Sequence, residues 1–125
     1  MAQRKGQGGM HELAIAESIV EAVGAKAAEC SAARVTHVRL KVGEASGIVT
    51  DSLTFCFEMV ASLDPILTGA QLSIDTMPHR AWCRHCAAEF PVTNFVARCP
   101  TCGEWSSQVI SGTELQILDM EIENL

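Results

Sequence analysis

Apolar residues recur with two different periods along this chain, and each period predicts a different kind of element. Between Glu12 and about Ala28 they recur every three or four residues, which is the stripe of an amphipathic helix packed on one face. The members of this stripe are Leu13, Ala16, Ile19, Val20, Val23 and Ala27. Residues 34–42 alternate instead, which predicts a half-buried strand. Its two faces are expected to carry Thr36, Val38, Leu40 and Val42 inward, and Val35, His37, Arg39 and Lys41 outward.

A second helix is predicted from about residue 50, after a glycine-containing turn. Thr50, Asp51 and Ser52 supply side-chain oxygens that can cap its first N–H groups. The helix should end near Asp64, because the residue before a proline is pushed out of helical geometry. The expected buried face comprises Leu53, Cys56, Phe57, Val60 and Leu63.

Two further strands are predicted in the second half of the chain. One covers residues 70–76, with Leu72 and Ile74 pointing inward. The other covers residues 114–123, where the inward phase slips between Ile117 and Leu118 and indicates a bulge.

The segment between these strands differs from the rest of the chain. Residues 78–107 carry aromatics, turns and four cysteines but no long periodic element. We therefore predict an α+β fold, with a small three-stranded sheet and two helices formed by residues 10–77 and 108–125. The segment 78–107 would be a zinc-ribbon module inserted into this discontinuous domain. Residues 1–9, rich in glycine and without apolar periodicity, are predicted to be a flexible N-terminal extension.

Composition and charge exclude several classes of function. The 125 residues are 48% hydrophobic, as in globular proteins, and the formal net charge is −6. This charge argues against nucleic acid as a partner, because phosphate binding needs a basic surface. No apolar run approaches the ~20 residues of a membrane span, and the basic N-terminus is not followed by the apolar core of a signal peptide. We therefore expect a cytoplasmic protein that binds neither nucleic acid nor membranes.

Four of the six cysteines form two C-x-x-C pairs, CRHC at 83–86 and CPTCG at 99–103, separated by twelve residues. Each pair can bind one tetrahedral metal from a tight turn, and a closed site of four sulfurs is the structural zinc arrangement. The insertion is too small to fold on apolar burial alone, whereas structural zinc contributes roughly 10–16 kcal/mol. The expected Zn²⁺ ligands are Cys83, Cys86, Cys99 and Cys102, and iron in a rubredoxin-like site is the alternative.

The remaining cysteines and two histidines are interpreted more simply. His79 and His85 would be exposed or would bond groups around the metal site. The alternative is that one of them exchanges with a cysteine, or tunes the site, when the pH changes. Cys30 and Cys56 are interpreted as a helix-end residue and a core residue.

A second candidate site lies at Met10-His11-Glu12, where the first helix is expected to begin. Taken alone, His11 would be a helix N-terminal residue and Glu12 a favourable charge for the helix dipole. A chain beginning Met-His-Glu, however, would offer an amine nitrogen, an imidazole and backbone amides in one short segment. Such nitrogen-rich, square-planar sites suit Ni(II) or Cu(II) rather than zinc.

Taken together, these segments resemble the HypA/HybF family of hydrogenase nickel-incorporation proteins. The similarity runs from Met10 to about Glu123. It is carried by MHELAIAESIV at 10–20, VRLKVGEASGIV, FCFE, the paired C-x-x-C turns and ISGTELQI. The combination of Met-His-Glu with the four-cysteine ribbon is what makes the resemblance specific.

The resemblance implies a nickel metallochaperone, not an enzyme, that delivers Ni²⁺ for maturation of NiFe-hydrogenase and in some organisms also serves urease. Its implied partners are a HypB-type nickel GTPase and the hydrogenase large subunit. It further implies that nickel binds at Met10, His11 and Glu12, with His11 as the key side chain, and that Zn²⁺ occupies the four cysteines.

The chain departs from the family pattern in its nine leading residues. In that pattern the Met amine is free, whereas here the nitrogen of Met10 is joined to Gly9 and must lose a proton before it binds metal. His11 and Glu12 could then bind nickel together with waters or with a partner's ligands. A true start at Met10, a remnant of an expression vector and a natural tail all fit the sequence.

Two other functions fit parts of the sequence. A zinc-ribbon adaptor without nickel transfer would use the cysteines only to shape a binding surface, although Arg80, Arg84 and Arg98 are few for a nucleic-acid surface. An electron-transfer protein would hold iron in the same ligands and would be red when purified. The helix faces and the last strand also suit homodimer formation, by strand addition or swapping.

Overall fold

The computed structural model describes residues 2–124, with side chains described from His11 onward, and its elements confirm the predicted fold class. The helices are α1 (Ala2–Glu29) and α2 (Thr50–Ala61). The strands are β1 (Arg34–Gly43), β2 (Gln71–Met77), β3 (Arg80–Cys83), β4 (Ala88–Pro91), β5 (Val109–Ser111) and β6 (Leu115–Glu123). They form two three-stranded sheets, with strand orders β2-β1-β6 and β4-β3-β5. Within the described range, no helix has both the length and the apolar character that crossing a membrane requires.

The chain divides into two compact units. The first unit comprises Met1–Leu40, Ile48–Ile74 and Ile117–Leu125, and the second comprises Lys41–Gly47 and Asp75–Gln116. Both helices therefore belong to the first unit, and both C-x-x-C pairs belong to the second. The second unit contains more of the chain than the segment 78–107 that the sequence pattern marks as an insertion.

Helix α1 buries most of the stripe that its sequence predicts. Ala16, Ile19, Val20, Val23 and Ala27 are buried, and Leu13 is half-buried. The helix begins at Ala2 rather than near Glu12, so it includes most of the stretch that we expected to be a flexible extension. This stretch mixes good helix formers (Ala, Gln, Arg and Lys) with three glycines that disfavour a helix, so residue propensity alone does not explain the longer helix.

Helix α2 departs from its prediction at both ends. Its N-cap residue is Val49, which makes no side-chain cap hydrogen bond, so the predicted capping role of Thr50, Asp51 and Ser52 is wrong. The helix ends at Ala61, which is buried, while Leu63 lies beyond the end and is 82% exposed. Leu63 was predicted to be buried, and the earlier end of the helix explains why it is not.

Strand β1 follows its predicted alternation except near its beginning. Val38, Leu40 and Val42 are buried as expected, but Val35, predicted to face outward, is only 1% exposed. The N–H of Val35 donates to the carbonyl of Ile66, 2.9 Å away. This hydrogen bond joins the start of the strand to the segment around Ile66, a contact that the alternation of β1 does not predict.

The second unit has a small apolar core that depends on its cysteines. Strand β3 pairs antiparallel with β4, so that Ala81 lies opposite Phe90 and Cys83 opposite Ala88. The buried cluster consists of Ala81, Cys83, Phe90, Val92 and Cys99, with Cys86, Ala97 and Cys102 packed against it. Because sulfur-bearing residues form much of this cluster, the apolar burial available to the unit without a metal is small.

In the second unit, two backbone segments lie so close together that no space is left for a side chain at Gly43. A Cβ atom on Gly43 would collide with the backbone of Gly112 and Thr113. Two hydrogen bonds hold these segments together: Gly43 N–H donates to the Glu114 carbonyl at 2.8 Å, and Ala45 N–H donates to the Gly112 carbonyl at 2.7 Å. Glycine at position 43 is therefore required by this packing.

Candidate metal centre

The structure brings the four predicted cysteine ligands together. Their Sγ atoms all lie within 4.8 Å of one another. The Sγ atoms of Cys83 and Cys102 are 3.5 Å apart, and those of Cys86 and Cys99 are 3.9 Å apart. Sulfur ligands ~2.3 Å from one tetrahedral metal ion lie ~3.8 Å from each other. The cluster thus has the spacing of a four-sulfur metal site.

Two tight turns position these sulfurs. Cys83 ends strand β3, and the N–H of Cys86 in the following turn points to the Cys83 sulfur at 3.3 Å. In the second turn, Cys99 N–H donates to the Glu104 carbonyl and Gly103 N–H donates to the Cys99 carbonyl, both at 2.9 Å. Gly103 has a φ of 79°, which glycine adopts at little cost, so this residue suits the end of the turn.

The local electrostatics favour a bound cation. The backbone N–H of Cys102 lowers the pKa of the Cys99 thiol to about 6. The Cys102 side chain is the main reason that the pKa of Cys86 is raised to about 12, since neighbouring sulfurs cannot all become negative together. A divalent cation removes this repulsion, so metal binding should release protons and should weaken as the pH falls.

The two histidines near the quartet occupy different environments, and the described metal-ligand cluster contains the cysteines alone. His85 is exposed and lines a cavity of about 370 Å³ together with Arg84, Glu104 and Trp105. His79 is 7% exposed, and its ring contacts the ring of Phe95 edge-on, with the centroids 5.6 Å apart. His79 therefore serves in packing, and any exchange of His85 with a cysteine stays a prediction.

The predicted nickel segment is divided between solvent and interior. His11 is exposed, whereas Glu12 is completely buried. The Oε2 atom of Glu12 accepts a hydrogen bond from the N–H of Val49 at 2.8 Å. Its Oε1 atom is also buried and has no hydrogen-bond partner among the described residues. The side chain of Met10 lies outside the described part of the chain.

Helical geometry explains this division. Successive residues on a helix point about 100° apart, so His11 and Glu12 cannot face the same way. Glu12 lies four residues before Ala16 and therefore belongs to the buried stripe of α1. This spacing is visible in the sequence and could have indicated that Glu12 points inward. The structure thus does not bring the side chains of His11 and Glu12 together.

Glu12 is expected to stabilise the first unit by joining the two helices. Replacing Glu12 with alanine leaves the Val49 N–H without its acceptor at the start of α2, so the free energy of unfolding should fall by about 1–3 kcal/mol. Urea denaturation followed by the helix signal in far-UV circular dichroism measures this change. Glu17→Ala, at an exposed position of the same helix, is the matched control and should change stability little. Equal effects of the two changes would show that the Glu12–Val49 bond contributes nothing.

Comparisons with known proteins place this chain in a family. Residues 10–122 match a family model described as hydrogenase/urease nickel incorporation, metallochaperone, hypA. A hydrogenase maturation factor HypA from Geobacter metallireducens is 40% identical over 114 residues, which is 91% of this chain and all of that protein. A hydrogenase maturation factor HypA from Chlorobaculum tepidum is 42% identical over 114 residues, with the same coverage of 91% and 100%.

Two solved structures share the fold. The solution structure of the Ni metallochaperone HypA from Helicobacter pylori aligns with a TM-score of 0.65 at 19% identity, covering 91% of this chain and 98% of that one. A second HypA solution structure aligns with a TM-score of 0.69 at 21% identity, covering 90% and 96% of the two chains.

Proposed function

Because this chain belongs to the HypA family of hydrogenase and urease nickel-incorporation metallochaperones, we propose that it binds Ni(II) at His11 and delivers it for NiFe-hydrogenase maturation. The observation that supports this role is the exposure of the His11 imidazole, which leaves its ring nitrogens accessible to a metal ion. Nickel is cargo in this proposal, and the chain acts as a carrier and not as an enzyme. Urease is a second acceptor that the family description includes.

The exposure of His11 suits a carrier, since a cargo ion held by few, accessible ligands can be released to an acceptor. The N–H groups of His11 and Glu12 lie inside α1, where each donates to the carbonyl four residues earlier. These nitrogens, and that of Met10, become nickel ligands only where the helix unwinds. The Glu12 carboxylate is completely buried, so it joins the nickel ligands only if it moves out of the interior. With the helix intact, His11 would bind nickel with waters or with ligands from a partner.

We further propose that the four cysteines hold a resident Zn²⁺ ion. A closed set of four sulfurs leaves no position for a substrate, and zinc in such a site supplies a structural cross-link without redox chemistry. Metal analysis of the purified chain distinguishes this proposal from iron, which would colour the protein red.

The partners that we propose are those that membership of the family implies. The sequence contains no P-loop motif for nucleotide phosphates, which agrees with a separate GTPase as the source of energy for transfer. We propose a HypB-type nickel GTPase for this role, the hydrogenase large subunit as the acceptor, and transfer in the cytoplasm. We also propose that the chain can form a homodimer through β6, by strand addition or swapping.

Calorimetric titration with Ni(II) tests the carrier function directly. The zinc-loaded full chain and a version starting at Met10 should each bind one nickel ion, with higher affinity in the shorter version because its Met10 amine is free. His11→Ala should weaken nickel binding by about tenfold or more, since each lost tenfold corresponds to about 1.4 kcal/mol of ligand binding. His85→Ala, which removes another exposed imidazole, is the matched control and should bind like the parent. If His11→Ala binds nickel as tightly as His85→Ala, the zinc-ribbon adaptor becomes the better function.

A further inference from the structure

The side of α2 that points away from the interior carries large apolar side chains. Phe55 is 66% exposed, Met59 is 45% exposed, and Leu63 just beyond the helix is 82% exposed. They are spaced four residues apart, which aligns side chains on one helix face. Leu63 continues this line because the chain remains in a tight turn, in which the Leu63 N–H donates to the Val60 carbonyl at 3.1 Å. We call these three residues the α2 outer face.

The α2 outer face is not needed for the core of the first unit. The opposite side of the helix is already buried through Leu53, Cys56, Phe57 and Ala61. Exposed apolar side chains that lie together on one face are typical of interaction sites, whereas single ones are ordinary. The face is therefore a candidate for contact with another molecule.

The charges around this face are negative. Asp51 and Glu58 lie four residues before and three residues after Phe55, both are exposed, and they flank it on the helix surface. The segment 50–64 contains no lysine or arginine. From His11 onward, the first unit has three basic side chains against ten acidic ones. The acidic residues are Glu12, Glu17, Glu21, Glu29, Asp51, Glu58, Asp64, Asp119, Glu121 and Glu123.

The three basic side chains that the structure describes in this unit are paired with carboxylates other than Asp51 and Glu58. Lys26 lies 3.5 Å from Glu29, Arg34 lies 3.0 Å from Glu123, and Arg39 lies 2.6 Å from Asp119. Arg39 also lowers the pKa of the Asp119 carboxyl, as expected of such an ion pair. The negative charge beside Phe55 is therefore not neutralised by the basic side chains described from His11 onward in this unit.

We propose that the α2 outer face docks a basic amphipathic helix of another protein, with an apolar stripe flanked by Lys or Arg. The acidic residues around the face favour this partner over a second copy of the chain or a membrane. Two copies of this chain paired through the face would bring Asp51 and Glu58 of each together, and an anionic membrane would be repelled in the same way. A helix with basic flanks would match both the apolar line and the acidic border. This docking role does not depend on the nickel function.

Fluorescence anisotropy with two synthetic peptides tests the proposal on the zinc-loaded full chain. One peptide is an amphipathic helix with a leucine stripe flanked by lysines, and the other has glutamates in place of the lysines. We expect the lysine peptide to bind, with an affinity that falls as salt screens the charges, and the glutamate peptide not to bind. Phe55→Ala should weaken binding by about tenfold or more, as for an anchor residue. The double change Asp51→Asn, Glu58→Gln should weaken it and reduce its salt dependence.

Matched controls separate docking from folding and from general stickiness. Met59→Ala should weaken binding, whereas Val96→Ala, which alters a side chain of similar exposure (48% against 45%) in the second unit, should not. Alanine is the best helix former, so the α2 variants should keep the parent helix signal. Equal binding of both peptides, or undiminished binding by Phe55→Ala, would overturn the proposal. A dimer in sedimentation velocity that Phe55→Ala dissociates would also overturn it, since the occupant would then be a second copy.

Discussion

Cys99→Ser is expected to abolish metal binding by the four cysteines and to unfold the second unit while the helices of the first unit remain. The variant should bind no zinc in metal analysis, because one of the four sulfurs around the site is lost. It should lose most of the binding free energy of structural zinc, which is roughly 10–16 kcal/mol. This loss is as large as the free energy of unfolding of a typical whole domain, about 5–15 kcal/mol. The core of this unit cannot compensate, since Cys83 and Cys99 are themselves two of its five buried members.

The chain offers separate reporters for the two units. Both tryptophans, Trp82 and Trp105, lie in the second unit, whereas both helices lie in the first. Tryptophan emission should therefore shift to the red in Cys99→Ser, while the helix signal in circular dichroism should be retained. Cys30→Ser, at an exposed cysteine outside the quartet, is the control and should keep both signals and the metal. Native tryptophan emission in metal-free Cys99→Ser would show that apolar packing alone holds the unit.

Gly43→Ala is expected to produce the second largest loss of stability, about 3 kcal/mol or more. The added Cβ would collide with backbone atoms of Gly112 and Thr113, and backbone cannot move aside as a flexible side chain can. Separation of the two segments would break the hydrogen bonds from Gly43 to Glu114 and from Ala45 to Gly112. Urea denaturation measures the change in the free energy of unfolding.

A second glycine supplies the control for this prediction. In helix α1, a Cβ on Gly24 would lie 3.5 Å from Asp64 Oδ2 and 3.9 Å from Leu67 Cδ1, which are ordinary contacts. Gly24→Ala should therefore be neutral or should stabilise the helix by about 0.5–1 kcal/mol. If Gly43→Ala is tolerated as well as Gly24→Ala, the close approach of the two backbones is not maintained in solution.

The features that were predictable from sequence are those with a short repeat or a short spacing. The stripe of α1 from Ala16 to Ala27 and the alternation of β1 from Val38 to Val42 follow from the geometry of a single element. The two C-x-x-C pairs predict a four-sulfur site because each tight turn brings two sulfurs together. For this reason the fold class and the cysteine cluster could be inferred before the structure.

The features that could not be predicted from sequence are contacts between residues far apart in the chain. Glu12 accepts a hydrogen bond from the N–H of Val49, the N–H of Val35 donates to the carbonyl of Ile66, and Gly43 lies against the backbone of Gly112. The hydrophobic pattern around each residue does not predict which distant residue it will contact, because the distance between the two depends on how the elements pack. The stripe of α1, the alternation of β1 and the clustering of the four cysteines were thus predictable from sequence, whereas packing set the ends of α2 and joined Glu12 to Val49.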